Sequence, residues 1–445
     1  MVDLLIKKGL VVTMDENRRV LKGASVAVDD GKINVIGKYK NSRKPDEVID
    51  ASGKIVMPGL ICSHTHMYGS LLQGAPLKID PPTDMLQILQ RVWWPFEEAM
   101  TKKDAGASAM MACLEFIKSG TTFVADTFAG EVMTGVLDQT SSALLESGLR
   151  GLVSLEATER RTYAQGAKAM RENLRFIKKS RKNVRARVQG MISLHSPFTV
   201  SDELLRYVRR IASQNKVPIS IHVAEGAADQ YHNLEKYSKR SVERLNDLGV
   251  LASDTILAHC VHVNDDEIGI IKKSGAKVAH NPMSNMLNGV GAAPIRKIRE
   301  AGIPVGLGND GYVFDGFENM RTAYLMHKLT ARDPREITSI QALEMATIGG
   351  AQVFGLENKL GSLEEGKLAD IIIVNPSRIA TPVRPESAID HIVNTVKGAD
   401  TETVIVGGRM VMQDKNVLTL DENEVIWASR RAAKKLWQKL GAIRR

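Results

Sequence analysis

Apolar and polar positions alternate with a period of two over the opening stretch. VVTMD, ASVAVDDGKINVIG and GKIVMPG, with Asp-Gly as a turn signal, predict short strands up to residue 58. The pattern then changes. From Leu60 to about Leu356, short apolar runs alternate with longer segments of helical periodicity, which predicts βαβ units and a parallel sheet. Eight such runs stand out: LICSHTH (60–66), TTFVADT (121–127), RGLVSLEAT (150–158), VQGMISLH (188–195), PISIHVAE (218–225), TILAHCVH (255–262), AKVAHNP (276–282) and PVGLGND (304–310). Helical segments fill the intervals, for example DELLRYVRRIASQN (202–215) and DEIGIIKKSG (266–275). Eight strand–helix units predict an α/β fold of the TIM (β/α)8 type. Beyond the barrel, GSLEEGKLADIIIVNP (361–376) and TVIVGGRMVMQD (403–414) return to strands and tight turns like those of the opening segment. Residues 1–58 and 361–420 are therefore expected to build one small β-sandwich domain beside a barrel over 59–360, with a terminal helix over 421–445.

Composition narrows the class. A chain of 445 residues, 43% hydrophobic and 25% charged, can bury a core without covalent staples. Cys62, Cys113 and Cys260 are too few and too scattered for a disulfide framework. The opening MVDLLIKKGLVVTMDENRR lacks the apolar core of a signal peptide, and no run approaches the ~18 apolar residues of a membrane span. A cytoplasmic location is expected. The formal charge is +9, and much of the excess lies in residues 168–187 and 430–445. In the first segment Met170, Leu174 and Ile177 recur at helical spacing, so the basic residues form a solvated helix face. With aromatics at only 5%, neither a nucleic-acid nor a membrane partner is expected, but a small-molecule substrate and a homo-oligomer are.

Chemistry gathers at the strand ends. His64 and His66 are two apart, so a strand points both imidazoles to one side. His195 ends the fourth run, His222 and Glu225 the fifth, His259 the sixth and Asp310 the eighth. One such residue alone is more often a satisfied structural group. Imidazoles and acids on five of eight strands, all at the face where barrels carry out catalysis, point to a metal site. Three imidazoles and a carboxylate suit zinc or ferrous iron. The long segment from Met67 to Asp104 carries Trp93, Trp94, Phe96 and Glu97, and a loop of that length is usually functional; its aromatics could cover a flat ring. His262 is expected on the opposite side of its strand from His259. His280 is expected to support the site and His327 to be structural. Cys62 and Cys260 are expected to pack outward, and Met283 and Met286 to line a pocket or join the core.

HTH (64–66), HVAE (222–225), AHCVH (258–262), HNPMSN (280–285) and GLGNDG (306–311), with PGL (58–60) and EEGKLAD (364–370), resemble the amidohydrolase superfamily over essentially the whole chain. The likeness is greatest to the branch of S-adenosylhomocysteine and methylthioadenosine deaminases and s-triazine hydrolases. Within it, WWPFE, HVAEGAADQYHNLEKYSKRSVERL and SNMLNGVG look most like the SsnA-like aminohydrolases. The resemblance implies that His64, His66, His222 and Asp310 ligate one divalent metal per chain, zinc first and iron(II) second. It implies a catalytic set of Glu225, which shuttles protons, His259, which holds the attacking water, and Asp310, which accepts or orients its proton. His195 stands where binuclear members carry a bridging residue, which favours one metal and a substrate contact. Glu97 aligns with the acid that binds ribose hydroxyls, although an acid in the first turn of a helix has a dipole rationale of its own. Trp93 is expected on the substrate wall and Glu156 behind the ligands. Asn309 replaces a small hydroxyl residue. The arginines that bind an amino-acid tail have no clear counterpart, with Leu155 near one and Lys168 near the other. The expected activity is hydrolytic deamination of an aminated N-heterocycle: an aminopurine, an adenosine-type nucleoside such as methylthioadenosine, or a pterin. A chlorohydrolase or amide-bond hydrolase of the s-triazine type is the alternative. A non-catalytic scaffold would have no reason to keep so complete a set of buried ligands.

Overall fold

Near-continuous apolar strands and one-faced helices produce the architecture directly. The computed structural model describes residues 2–40, 44–131, 134–182 and 187–443. The barrel strands are Leu60–Thr65, Thr121–Phe128, Arg150–Ala157, a fourth interrupted between Val188–Gly190 and Ile192–Leu194, then Ile219–Val223, Thr255–His259, Lys277–His280 and Val305–Leu307. They pair side by side in chain order, all parallel. The ring closes through a parallel bridge between Thr65 and Asp310. His66 N–H donates to Asp310 O at 3.0 Å and Asn309 N–H to His64 O at 3.1 Å across the same seam. Backbone pairing at the seam therefore sets the positions of His64, His66 and Asp310.

Several predicted strands stop short of their expected ends, the fifth and sixth at left-handed turns. Ala224 (φ 51°), His259 (φ 73°) and Cys260 (φ 52°) occupy the left-handed region, which breaks extended backbone. Glu225 and His262 thus sit on turns, and strand alternation does not govern His262. Its side chain is half-buried, and its N–H donates to Ala224 O at 2.9 Å.

The chain ends form a second sheet of nine strands. Ile55–Pro58 joins its halves, running parallel to Leu4–Val12 and antiparallel to Ile371–Val374. The sheet folds over a core that includes Ile6, Val26, Ile371 and Ile405, and the turn at Gly31 accepts the Ala369 N–H at 2.9 Å. The terminal helix Glu422–Ile443 braces the barrel. Trp437 Nε1–H donates to Leu71 O at 2.8 Å and Lys439 Nζ to Ala99 O at 2.6 Å, which pins both ends of the long segment after the first strand. In the basic helix Tyr163–Ser180, Arg175 pairs with Glu172 and Asp138, and Lys179 with Asp138, so part of its charge is neutralised. Of the two basic segments, residues 183–186 and 444–445 lie outside the described residues. No described helix is long and apolar enough to cross a membrane.

Candidate active site

Four donor atoms converge at the mouth of the barrel. His66 Nε2 and His64 Nε2 each lie 3.2 Å from His222 Nε2. Asp310 Oδ1 lies 3.1 Å from His66 Nε2 and 3.8 Å from His64 Nε2. Bonds of ~2.0–2.1 Å to a tetrahedral ion place neighbouring ligand atoms about 3.3–3.4 Å apart, so the spacing fits one divalent cation. The tautomers fit as well. His66 Nδ1–H donates to Thr127 O and His222 Nδ1–H to His195 O, each at 2.6 Å, so both Nε2 lone pairs face inward. Lone pairs this close repel unless a cation lies between them. Burial pushes His64 well below its ordinary pKa and His222 down to about 3, which favours the neutral imidazole that a metal needs. Burial also opposes charge on His66, but the Asp310 carboxylate beside it overrides this and raises it to about 10. A proton and a cation therefore compete for the same spot.

Beside the ligands stand the other expected catalytic groups. His259 Nε2 is 3.7 Å from Glu225 Oε2, and Glu225, His259 and Asp310 form a second close cluster. Burial pushes the Glu225 carboxyl up from its usual range. The short helix Pro282–Leu287 and its cap Asn288 hold all three. Ser284 Oγ–H donates to Asp310 Oδ2 at 2.5 Å, Asn285 Oδ1 accepts from His259 Nδ1–H at 2.8 Å, and Asn288 Nδ2–H donates to Glu225 Oε1 at 3.4 Å. The bond to Asn285 fixes the His259 tautomer, and His259 Nε2 has no hydrogen-bond partner. Backbone strain concentrates here: Ala224, His259, Cys260 and Asp310 (φ 57°) are all left-handed without being glycine. Gly308 allows the close approach, since a Cβ there would fall 2.2 Å from Asn281 Oδ1 and 2.6 Å from His64 O.

The cleft above the ligands is lined by Trp93, Tyr68, Glu97, Glu156, His195 and Glu225, among others. Trp93 ends a π-helical turn, Leu89–Trp93, a form often found at functional sites. Its ring meets Tyr68 and Tyr312 edge-on at 5.7 and 5.4 Å. The other aromatics of the segment depart from the expectation. Phe96 is fully buried, stacked 6.3 Å from Tyr68, and Trp94 lies beneath the Arg160 guanidinium at 5.1 Å. Helix periodicity gives each of these side chains a different job. Glu97 is in the first turn of helix Trp94–Ala99 and also faces the cleft. It pairs with Arg160 at 2.8 Å and accepts from Tyr68 Oη–H at 3.0 Å. His195 Nδ1–H donates to Thr199 Oγ1 at 2.8 Å, since that hydroxyl gives its own proton to Ser196 O, and His195 Nε2 is left as an acceptor. Glu156 Oε2 lies 3.8 Å from His222 Nδ1, and burial, reinforced by Glu97, raises its carboxyl to about 8.

Other residues fall outside these roles. His280 and His327 meet each other at 3.0 Å, Nε2 to Nε2. Cys62 does not simply pack outward, because its Sγ lies 3.1 Å from Asn309 Oδ1 within the polar seam; Cys260 is fully buried. Met286 is exposed and Met283 half-buried, and neither lines the cleft. Sequence reasoning missed Arg160, Tyr68 and Tyr312, and gave no task to Ser284, Asn285 or Asn288. The polar letters within HNPMSNMLN were the one available signal, because four polar side chains on a turn beside an imidazole strand are costly unless they bind something.

Residues 55–411 match the family model of the amidohydrolase family. The chain is 38% identical over 444 residues to the 5'-deoxyadenosine deaminase of Methanosarcina mazei, covering 98% of this chain and 99% of that one. It is 37% identical over 419 residues to the 5-methylthioadenosine/S-adenosylhomocysteine deaminase of Thermococcus onnurineus, covering 93% and 95%. In fold it is similar to a zinc-bound adenosine deaminase from Xanthomonas campestris, with a TM-score of 0.89, 24% identity and 98% of each chain covered.

Proposed function

The chain belongs to the amidohydrolase family, and we propose that it is a metal-dependent deaminase that releases ammonia from an aminated N-heterocycle. Adenosine-type nucleosides such as 5'-deoxyadenosine and methylthioadenosine come first, by similarity to relatives bearing those names, and free aminopurines and pterins next. The observation that carries the reading is the pairing of a partly buried acid, Glu225, with His259 at 3.7 Å, directly beside a four-donor site.

His64, His66, His222 and Asp310 would hold one divalent ion, zinc first and iron(II) second. Such an ion supplies the charge that lowers the pKa of a water toward about 7. Every other task falls to the chain's own groups. His259, with Nδ1–H held by Asn285, offers its Nε2 lone pair to a proton of the attacking water. Ser284 holds Asp310 Oδ2, leaving Oδ1 toward His66. Glu225 carries a proton to the ring nitrogen, which lets the ring accept electrons as the water oxygen bonds to the amino-bearing carbon. The water's two protons balance the step: one reaches the ring nitrogen by way of Glu225, and the other passes to the amine as the C–N bond breaks, so that ammonia leaves and the ring carbon keeps the oxygen as a carbonyl. A carboxyl raised by burial suits this work at neutral pH. Trp93 offers the ring a flat apolar face, His195 contacts the heterocycle, and Glu97 contacts the ring's substituent.

A coupled ammonia assay tests the proposal on methylthioadenosine, 5'-deoxyadenosine, S-adenosylhomocysteine, adenine, guanine and a pterin, beside chloro- and amide-substituted s-triazines. Ammonia release from a nucleoside or free base is expected. Chloride or amide hydrolysis with no deamination of any amino-heterocycle would replace the reading.

A further inference from the structure

Glu225 is tied to a chain of hydrogen bonds that starts at Trp93, a second residue of the cleft lining. Trp93 Nε1–H donates to Tyr312 Oη at 3.1 Å, Tyr312 Oη–H to Asn288 Oδ1 at 2.5 Å, and Asn288 Nδ2–H to Glu225 Oε1 at 3.4 Å. Four separate barrel loops contribute: those after the first, eighth, seventh and fifth strands.

The direction of the chain is forced by chemistry. An indole N–H can only donate, so the Tyr312 oxygen accepts there. The single Tyr312 proton must then go to Asn288, which makes the near atom the amide oxygen and turns the NH2 toward Glu225. Asn288 also donates to Ser284 Oγ at 3.2 Å, so both of its N–H bonds run into the catalytic cluster. With Oε1 held from this side, Glu225 presents Oε2 to His259 and the reacting atoms. Gly311 makes the first link possible, since a Cβ there would fall 2.5 Å from the Trp93 ring. The last link is the longest.

We infer that Asn288 and Tyr312 are positioning residues that fix Glu225 in register with a ring bound against Trp93. The inference rests on Glu225 as the proton carrier. Trp93 and Glu225 both line the cleft, so one chain of bonds sets the ring-bearing wall and the acid relative to each other.

The test measures steady-state kinetics of the metal-loaded enzyme on methylthioadenosine, or on whichever compound of the panel above releases ammonia fastest. Tyr312→Phe removes one oxygen and keeps the ring; Asn288→Leu removes the amide. Each is expected to lower kcat by about 10–100-fold, the usual cost of losing a partner that orients a working group, with KM held within roughly threefold. The double variant should be no slower than the slower single, because both act through one chain. Metal content by elemental analysis should match the unaltered protein. Unchanged kcat, a raised KM with kcat kept, or fully multiplicative losses would each overturn the inference. Should Asn288→Leu fail to fold, Asn288→Ser with Tyr312→Phe carries the same comparison. Glu225→Gln is measured alongside. If that variant stays active, the proton-carrier reading fails and takes the inference with it. If it is dead while the Tyr312 and Asn288 variants are normal, only the inference fails.

Discussion

At the scale of single residues, the proposed site separates groups that would hold a cation from groups that would move protons. Glu225→Gln keeps shape and can still accept from Asn288, but cannot carry a proton. Turnover should fall by ~10²–10⁴-fold, the usual contribution of a general acid–base, while one metal per chain stays bound, because the four donors are untouched. Parallel ammonia assays and elemental analysis decide it, and near-normal turnover would remove Glu225 from the mechanism. His259→Asn addresses the water contact. If the imidazole holds the attacking water as proposed, that bond strengthens as charge develops, so kcat should drop far more than KM rises. Loss confined to KM would make His259 a substrate contact. The carboxyl and imidazole motifs were visible in the sequence because each sits within a few residues of a strand end. Arg160 was not. Its pairing with Glu97 bridges two loops 63 positions apart, and only the fold brings them to 2.8 Å.

At the scale of elements, strands were the most legible feature, since period-two and continuous apolar runs leave little choice of face. Their ends were not, because left-handed turns at Ala224 and His259 carry no residue signature without glycine. The loop with Trp93, Trp94 and Phe96 was legible as functional but not in detail. Helical periodicity sends Trp93 to the cleft and Phe96 to the core. Helix Lys102–Lys118 illustrates a separate cost. Burial raises Glu115 on its last turns to about 6, with Gln73 opposing the shift and Asp315 adding to it. The folded value exceeds the unfolded one, so this group's contribution to stability is fully present below about 4.5 and is lost as pH rises through about 6. Glu115→Gln should therefore raise the melting temperature relative to the unaltered chain at pH 8 and leave the difference near zero at pH 4. Thermal melts across that range check it, and a difference that does not grow with pH would show that the carboxyl is not strained by burial.

At the scale of the whole molecule, the barrel closes at the four donors proposed to hold the metal. Thr65 and Asp310 form the bridge that joins the first and last strands, and three of the four donors come from that seam. A cation held by these four donors would therefore tie the two ends of the sheet together as well as prepare a water. The apolar core spans the entire barrel, so the fold itself should survive without metal. Chelation is expected to leave far-UV circular dichroism near native while lowering the melting temperature. A ligand that binds only the folded state adds about 2.7 kcal/mol at a hundredfold excess over its Kd. Because a proton competes with the cation for His66, affinity should weaken as pH falls. Titrating zinc or iron(II) into the chelated protein, with melting temperature and activity followed together, should show both recover at one equivalent per chain. Recovery that needs two equivalents would overturn the single-metal site, and a melting temperature indifferent to metal would break the link between the seam and the ion.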